Sequence, residues 1–140
     1  VIQDFETNPG AGAFWGEVQT NIHKGLGCLG TVTSSAMRDV NDCAPGFQIL
    51  ARKVVPSHIY NKVIDFSTQV EVFGMVVNHD DIIHADRHGA VVIPIEAVDK
   101  LPAAVDLMIR KEAVQLEAAR DPSFNIHMLR KALTKSAQVK

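Results

Sequence analysis

Residues 27–39 read Gly-Cys-Leu-Gly-Thr-Val-Thr-Ser-Ser-Ala-Met-Arg-Asp, and this stretch decides the fold class. Within it, residues 28–33 form a short apolar run that predicts a buried strand ending at two serines. A polar segment follows the strand and carries the adjacent charges of Arg38 and Asp39. Ligands of α/β proteins commonly bind just beyond the ends of strands. The Arg38-Asp39 segment is therefore a candidate functional site.

A glycine-rich segment lies upstream of this strand. Residues 5–16 contain three glycines and one proline, which predicts a loop. Val18, Ile22 and Leu26 then follow with helical spacing. The start of a helix presents unpaired backbone N–H groups and partial positive charge, which suit a carboxylate or a phosphate. The same glycines are typical of a plain tight connection, which spacing alone favours, and the segment matches neither a P-loop nor a dinucleotide fingerprint.

Downstream of residue 46 the pattern is β as far as Pro94 and helical beyond it. Short apolar runs separated by turn residues predict strands at residues 47–51, 63–66, 70–77, 82–85 and 90–93. Beyond Pro94, apolar residues at helical spacing predict a long helix that ends at Asp121-Pro122, followed by a short helix. The sequence thus predicts an α/β fold with a C-terminal helical segment.

Composition excludes several classes of function. Hydrophobic residues make up 46 % and charged residues 21 %, which is ordinary for a globular protein. A net charge of −2 gives no electrostatic argument for binding nucleic acid or an anionic membrane. No apolar run approaches the ~18 residues of a membrane span. The two cysteines, Cys28 and Cys43, suit a reducing compartment, and we expect a cytoplasmic protein.

The chain length and its first residues bear on domain organisation. The 140 residues correspond to one domain, so we expect residues 1–140 to form a single domain. Val1 to Asp4 look like a strand already under way, without an initiator methionine. We therefore expect the sequence to be the larger, C-terminal part of a domain whose amino-terminal elements are absent.

Arg38 and Asp39 have two interpretations. The planar fork of Arg38 matches a substrate carboxylate. Asp39 offers a hard oxygen ligand, and one carboxylate completed by waters is typical of Mg²⁺. An isolated Arg-Asp pair is also a common solvated surface pair. Residue spacing alone favours the surface pair.

The histidines offer a competing metal site. His84, Asp86 and His88 share one face if the strand continues, and two imidazoles with a carboxylate suit a transition metal. Asp86 and Gly89, however, bracket what reads as a hairpin turn, and this interpretation is favoured. A loop residue such as His58 is more often structural than functional.

Three linked segments, residues 12–17, 27–39 and 83–94, resemble the regulator of ribonuclease activity A / 4-hydroxy-4-methyl-2-oxoglutarate aldolase family. They are similar to its Gly-Asp/Glu loop and helix start, its strand ending in Arg-Asp, and its Asp-x-x-Gly-apolar-Pro hairpin. Order and spacing agree from about residue 1 to Glu112. Two departures are Ser35, where the family usually has glycine, and residues 79–81, where it has a Pro-Gly-Asp turn.

The resemblance implies a β/β/α swivelling-domain fold that assembles as a homotrimer or hexamer, with active sites at subunit contacts. It implies that Arg38 binds the pyruvyl carboxylate and that Asp39 holds the divalent metal, Mg²⁺ or Mn²⁺. Glu17 would reach the metal through water, as would Glu112 from the neighbouring subunit. The substrate would be cradled by the start of the helix, at Gly16 and at the backbone N–H groups of Val18, Gln19 and Thr20.

The activity that the resemblance implies is a metal-dependent class II aldolase. Such an enzyme cleaves 4-hydroxy-4-methyl-2-oxoglutarate-like 2-oxo acids to pyruvate, and oxaloacetate decarboxylation is expected as a side activity. The alternative is a non-catalytic regulator that binds ribonuclease. Asp39 favours the enzyme, because such regulators need no metal ligand after the arginine. A methyltransferase is rejected, since the sequence has no glycine-rich cofactor loop of the expected kind.

Overall fold

A computed structural model of the chain describes residues 1–6 and 8–140. The chain forms two compact units, Val1–Pro94 and Ile95–Lys140, and each is described by itself. The organisation of residues 1–140 as a single domain stays a prediction. None of the helices in the described residues is both long and apolar enough to cross a membrane.

Parallel strands form the first part of the first unit. Its elements are β1 (Ala13–Trp15), α1 (Glu17–Gly25), β2 (Gly30–Val32), β3 (Ala36–Met37), β4 (Gln48–Leu50) and β5 (Lys53–Val54). One parallel sheet has the order β1-β3-β5, and β2 pairs in parallel with β4. Parallel neighbours need a crossover connection, and α1 with β2 supplies it between β1 and β3.

The strand predicted at residues 28–33 is shorter in the structure. Cys28 and Leu29 precede β2 and are exposed. The reason is the end of α1, where Gly27 adopts a φ of +90° and the Cys28 N–H donates to the His23 carbonyl at 3.0 Å. Cys28 therefore belongs to the helix termination. At the chain start, Ile2 forms a single parallel bridge with Thr33.

Two antiparallel hairpins complete the first unit: β6 (Val70–Val72) with β7 (Met75–Val77), and β8 (Ile82–Asp86) with β9 (Gly89–Ile93). The prediction of one strand over residues 70–77 was wrong. Phe73 and Gly74 have φ values of +53° and +82°, which suits a two-residue turn between strands.

The strand predicted at residues 63–66 is not formed in the part of the chain that the structure describes. Val63, Ile64 and Phe66 are all at least two-thirds exposed. The backbone turns after them, where the Asp65 carboxylate accepts the Phe66 N–H at 2.8 Å and Ser67 has a φ of +57°. A run of apolar residues becomes a strand only when a neighbouring strand pairs with its backbone.

The second unit is helical, as predicted. A 3₁₀ turn, Ile95–Lys100, leads into α2 (Leu101–Ala119), and α3 (Ile126–Ala137) follows. Pro102 lies in the first turn of α2, where its missing N–H costs nothing. Asn125 caps α3 by accepting the backbone N–H groups of the second and third residues of the helix. Ser136 of α3 donates to the Lys111 carbonyl of α2 at 2.9 Å.

A small cluster with two aromatic side chains forms the core of the first unit. Trp15, Ala44 and Phe47 form its buried centre, and the Trp15 and Phe47 rings stack with centroids 5.5 Å apart. The helix predicted from Val18, Ile22 and Leu26 is present, but these three side chains are at least half exposed. The buried position of α1 is Thr20 instead.

Candidate functional site

Parallel pairing brings the two predicted site segments together. β1 and β3 run side by side, so their carboxyl ends open at the same edge of the sheet. The Arg38 N–H donates to the Trp15 carbonyl at 2.9 Å and extends the pairing by one residue. Gly16 and Glu17, which follow β1, therefore lie beside Arg38 and Asp39, which follow β3. This is the strand-end position expected for ligand binding.

Arg38 is largely buried and held in place. Its side chain is 16 % exposed, with Nε 3.3 Å from Asp39 Oδ2. Its Nη1 donates to the Ala13 carbonyl at 2.8 Å. Among the described contacts, one of the five N–H donors of the guanidinium is engaged in a hydrogen bond, that of Nη1, while Nε forms an ion pair with Asp39. Because its position is fixed by protein groups, Arg38 can present the remaining donors to an anion without first ordering its side chain.

Asp39 adopts an uncommon backbone conformation. Its φ is +53°, in the left-handed region that non-glycine residues rarely occupy. The Asp39 carbonyl accepts the N–H groups of Asp42 at 2.9 Å and Cys43 at 3.0 Å. The turn that follows thus holds the residue in this conformation. Such strain is often concentrated at functional sites.

The two oxygens of the Asp39 carboxylate differ in their contacts. Oδ2 lies 3.3 Å from Arg38 Nε and accepts the Glu17 N–H at 3.3 Å. Among the described residues, no hydrogen bond or ion pair involves Oδ1. The side chain is 38 % exposed. One oxygen therefore anchors Asp39 to α1, and the other is open to a ligand.

Gly16 makes this close approach possible. It has an extended backbone, with φ −169° and ψ −161°, and directly precedes α1. A Cβ at this position would lie 2.6 Å from Asp39 Oδ2 and 3.0 Å from Arg38 Cγ. Any side chain would therefore displace the carboxylate. The structure explains glycine here by the packing of Asp39; whether Gly16 also contacts substrate, as predicted, stays a prediction.

The first turn of α1 carries the rest of the predicted substrate cradle. Glu17 is exposed, and the N–H groups of Val18 and Gln19 lie where the helix itself provides no acceptor. The Thr20 N–H differs, because it donates to the Gly16 carbonyl at 3.0 Å. Among the described residues, the backbone donors of this turn without an acceptor are therefore those of Val18 and Gln19. The side chain of Thr20 is buried, which the sequence did not predict.

Glu112 lies on α2, in the second unit, and is exposed. Its predicted role toward a neighbouring subunit's metal stays a prediction.

The hairpin interpretation of His84, Asp86 and His88 is confirmed. Asp86 pairs with Gly89, and its carboxylate accepts the His88 backbone N–H at 2.7 Å. His88 Nδ1 lies 3.1 Å and His84 Nε2 3.9 Å from Asp86 Oδ2. The backbone hydrogen bond, and then the imidazole of His88, lower the pKa of Asp86 from its ordinary value of 3.8. Across residues 1–6 and 8–140, no group of three or more His, Cys, Asp or Glu residues is placed to hold a metal ion.

Together, the architecture defines a mixed α/β protein of the β/β/α swivelling-domain type with helices at its carboxyl end. The RraA-like family model, described as Aldolase/RraA, matches residues 1–92. The chain belongs to this family, which confirms the resemblance carried by its three motifs.

A solved structure agrees with this fold. It is that of an uncharacterized protein from Pseudomonas syringae pv. tomato str. DC3000, with a TM-score of 0.74 and 18 % sequence identity. The match covers 93 % of this chain and 61 % of that one, so this chain spans about three-fifths of the length of the protein it matches. No curated protein matches this sequence.

Proposed function

We propose that this chain carries the active site of a divalent-metal-dependent aldolase. Its substrates would be 2-oxo acids such as 4-hydroxy-4-methyl-2-oxoglutarate, which it would cleave to pyruvate, with oxaloacetate decarboxylation as a side activity. The family description includes aldolases. The observation that carries the proposal is the Asp39 carboxylate, which is anchored through Oδ2 beside Arg38 and leaves Oδ1 open.

The acidic groups of the site fit Mg²⁺ or Mn²⁺. Mg²⁺ is usually held by one or two carboxylates, completed by waters and substrate oxygens, and does not need an all-protein cage. Asp39 provides one such carboxylate, and the exposed Glu17 at the start of α1 provides a second. When bound, the metal would supply positive charge that stabilises the oxyanion developing on the 2-oxo group.

The groups around Asp39 would each contact a different part of the substrate. Arg38 binds the substrate carboxylate and orients it, which contributes mainly proximity. The N–H groups of Val18 and Gln19 add donors at the positive end of the helix dipole. These groups would hold the 2-oxo acid in one orientation above Asp39.

The proton transfer is assigned to the two acids of the site. A water polarised by the carboxylate of Glu17 or of Asp39 accepts the proton of the substrate 4-hydroxyl as the bond between C3 and C4 breaks. The electron pair of that bond passes to the three-carbon fragment and forms the enolate of pyruvate. Transfer of that proton, or of one from water, to the terminal carbon of the enolate gives pyruvate, and the other fragment leaves as a carbonyl compound. Oxaloacetate loses CO₂ through the same enolate.

We also propose an oligomeric state and a cellular location for this protein. Val18 and Ile22 of α1 and Leu26 directly after it are exposed apolar residues spaced four positions apart, and exposed apolar patches can mark contacts between proteins. We propose that these residues contact a neighbouring subunit in a homotrimer or hexamer, in which Glu112 would approach that subunit's metal waters. Cys28 and Cys43 are both free thiols, which supports a cytoplasmic location.

The second candidate is a non-catalytic regulator that binds ribonuclease. In that case the exposed apolar residues Val18, Ile22 and Leu26 would contact the partner protein instead of another copy of the chain. Asp39 separates the two functions, since a regulator of this type does not require its carboxylate.

The decisive experiment measures pyruvate release from 4-hydroxy-4-methyl-2-oxoglutarate and from oxaloacetate by the full-length protein, with Mg²⁺ or with EDTA. Asp39→Ala is the test variant, and Asp106→Ala, an exposed acid of α2, is the matched control. Metal-dependent release that Asp39→Ala abolishes and Asp106→Ala preserves would support the aldolase. No release of pyruvate by the folded, metal-supplied wild type would favour the regulator.

A further inference from the structure

Thr20 is a fully buried polar residue in the first turns of α1. Its hydroxyl is 2.9 Å from the carbonyl oxygens of both Gly16 and Glu17, to which it can donate. The same oxygen accepts the backbone N–H of Ala44 at 2.9 Å. A threonine that donates within its own helix is common. The bond from Ala44 is different, because it joins α1 to a residue 24 positions later in the chain.

Ala44 ends the turn that holds Asp39. The N–H groups of Asp42 and Cys43 donate to the Asp39 carbonyl, and the next N–H, that of Ala44, donates to Thr20. Three consecutive N–H groups thus fasten this turn, two to Asp39 and one to α1. Thr20 connects the conformation of Asp39 to the position of the helix.

The contacts of Asp39 Oδ2 depend on the position of α1 relative to the turn at Asp39. Its hydrogen bond from the Glu17 N–H is 3.3 Å long, at the long end of the range, and its ion pair with Arg38 Nε also spans 3.3 Å. Bonds at the long end of the range are lost after small shifts of α1 against the turn. The shorter bond between Ala44 and Thr20 lies in the buried interior, where it limits such shifts.

We propose that Thr20 is a positioning residue of the site: its hydroxyl sets the distance between α1 and Asp39, and so the direction in which Oδ1 faces a ligand. This inference rests on the proposed function for its effect on catalysis. The hydrogen bond from the Ala44 N–H to the Thr20 hydroxyl, here called the Thr20–Ala44 tie, exists independently of any activity and can be measured separately.

The test compares Thr20→Val, which removes the hydroxyl at nearly constant shape, with Thr20→Ser, which keeps it. Groups that orient a metal ligand typically contribute 10–100-fold to affinity or activity. We expect Thr20→Val to lower kcat for pyruvate release by about tenfold or more and to weaken the apparent Mg²⁺ affinity. Substrate KM changes less than kcat, because Arg38 stays in place, and Thr20→Ser stays near wild type.

A control variant and a binding measurement without substrate complete this test. Thr134→Val is the matched control, because Thr134 is exposed on α3 and bonds only within its own helix in the described contacts. It should leave kcat and Mg²⁺ affinity unchanged. Trp15 is the single tryptophan of the chain and lies directly before Gly16, so its fluorescence can follow Mg²⁺ binding without substrate.

Hydrogen exchange of the Ala44 amide tests the tie without activity. Thr20→Val should speed this exchange at least tenfold, whereas Thr20→Ser should not. Wild-type kcat in Thr20→Val, or unchanged Ala44 exchange, overturns the inference. A wild type without pyruvate release defeats the proposed function instead, and the exchange experiment still decides the tie. If Thr20→Val does not fold, exchange in the wild type decides: Ala44 must be protected, and an unprotected amide overturns the inference.

Discussion

The carboxylate of Asp39 accepts the backbone N–H of Glu17, 22 residues earlier in the chain, at 3.3 Å. Asp39 thereby occupies the position of a capping group at the start of α1, where the preceding residue, Gly16, has no side chain to serve as a cap. One carboxylate oxygen stabilises the helix start and the other is open. Structural and proposed catalytic roles therefore meet in one side chain and can be separated by mutation.

Replacing Gly16 tests the close approach of Asp39. Gly16→Ala places a methyl group 2.6 Å from the position of Oδ2, so the carboxylate or α1 must shift. We expect a loss of about 1–3 kcal/mol in the free energy of unfolding, as for other overpacked sites. Pyruvate release should fall at least tenfold. Urea unfolding and steady-state kinetics measure the two effects.

Gly25→Ala is the matched control for that substitution. Gly25 is the last residue of α1, and a Cβ there meets nothing within 4 Å. Alanine favours a helix over glycine by up to about 1 kcal/mol, so this variant should be neutral or slightly more stable. Equal losses in both variants would contradict a specific role for Gly16.

Two substitutions of Asp39 separate charge from backbone conformation. Asparagine tolerates a positive φ and keeps an oxygen for the Glu17 N–H, but it lacks the negative charge. Asp39→Asn should therefore lose Mg²⁺-dependent activity while remaining more stable than Asp39→Ala by about 1 kcal/mol. Thermal unfolding with and without Mg²⁺ measures this. An active Asp39→Asn variant would contradict the assignment of Asp39 as the metal ligand.

The pKa of Asp86 should depend on His88. The backbone N–H of His88 is the largest cause of the lowered pKa and its imidazole the second. His88→Ala removes only the imidazole, so the Asp86 pKa should return part of the way to 3.8, as followed by a carboxyl NMR titration. A complete return would mean that the backbone hydrogen bond has little effect.

The lowered pKa of Asp86 also makes the stability of the protein depend on pH. Because the folded pKa lies below the unfolded value, the stabilisation is fully present above about pH 3.8 and is lost as the pH falls through the folded pKa. Wild type and Asp86→Asn should therefore differ more at pH 6 than at pH 2 in urea unfolding midpoints. A difference that is independent of pH would contradict this origin.

Trp15 should tolerate replacement by phenylalanine better than its burial suggests. Its side chain is 2 % exposed, and Nε1 is buried without a hydrogen-bond partner in the described part of the chain. Trp15→Phe leaves a cavity, but it also removes a donor whose burial costs about 1–3 kcal/mol. We expect a net loss below about 2 kcal/mol, whereas Trp15→Ala should lose about 3–5 kcal/mol. Urea unfolding of both variants tests the difference.

Local patterns determined much of this protein. The hairpin at Asp86 to Gly89, the helix beginning after Gly16 and the helix starting near Pro102 all follow from residues adjacent in sequence. Turn residues and capping groups act over a few positions, so their effect can be read without the fold. The three motifs likewise identified the RraA-like family.

Tertiary structure decided which of these local elements persist and how they meet. The apolar run at residues 63–66 forms no strand in the described chain, because a strand requires backbone partners that its own sequence does not provide. The sequence placed Arg38 and Asp39 after a strand. Only the parallel pairing of β1 with β3 brought Asp39 to Glu17 and Ala44 to Thr20. These contacts span more than 20 residues, and their geometry depends on packing between elements that no local pattern specifies.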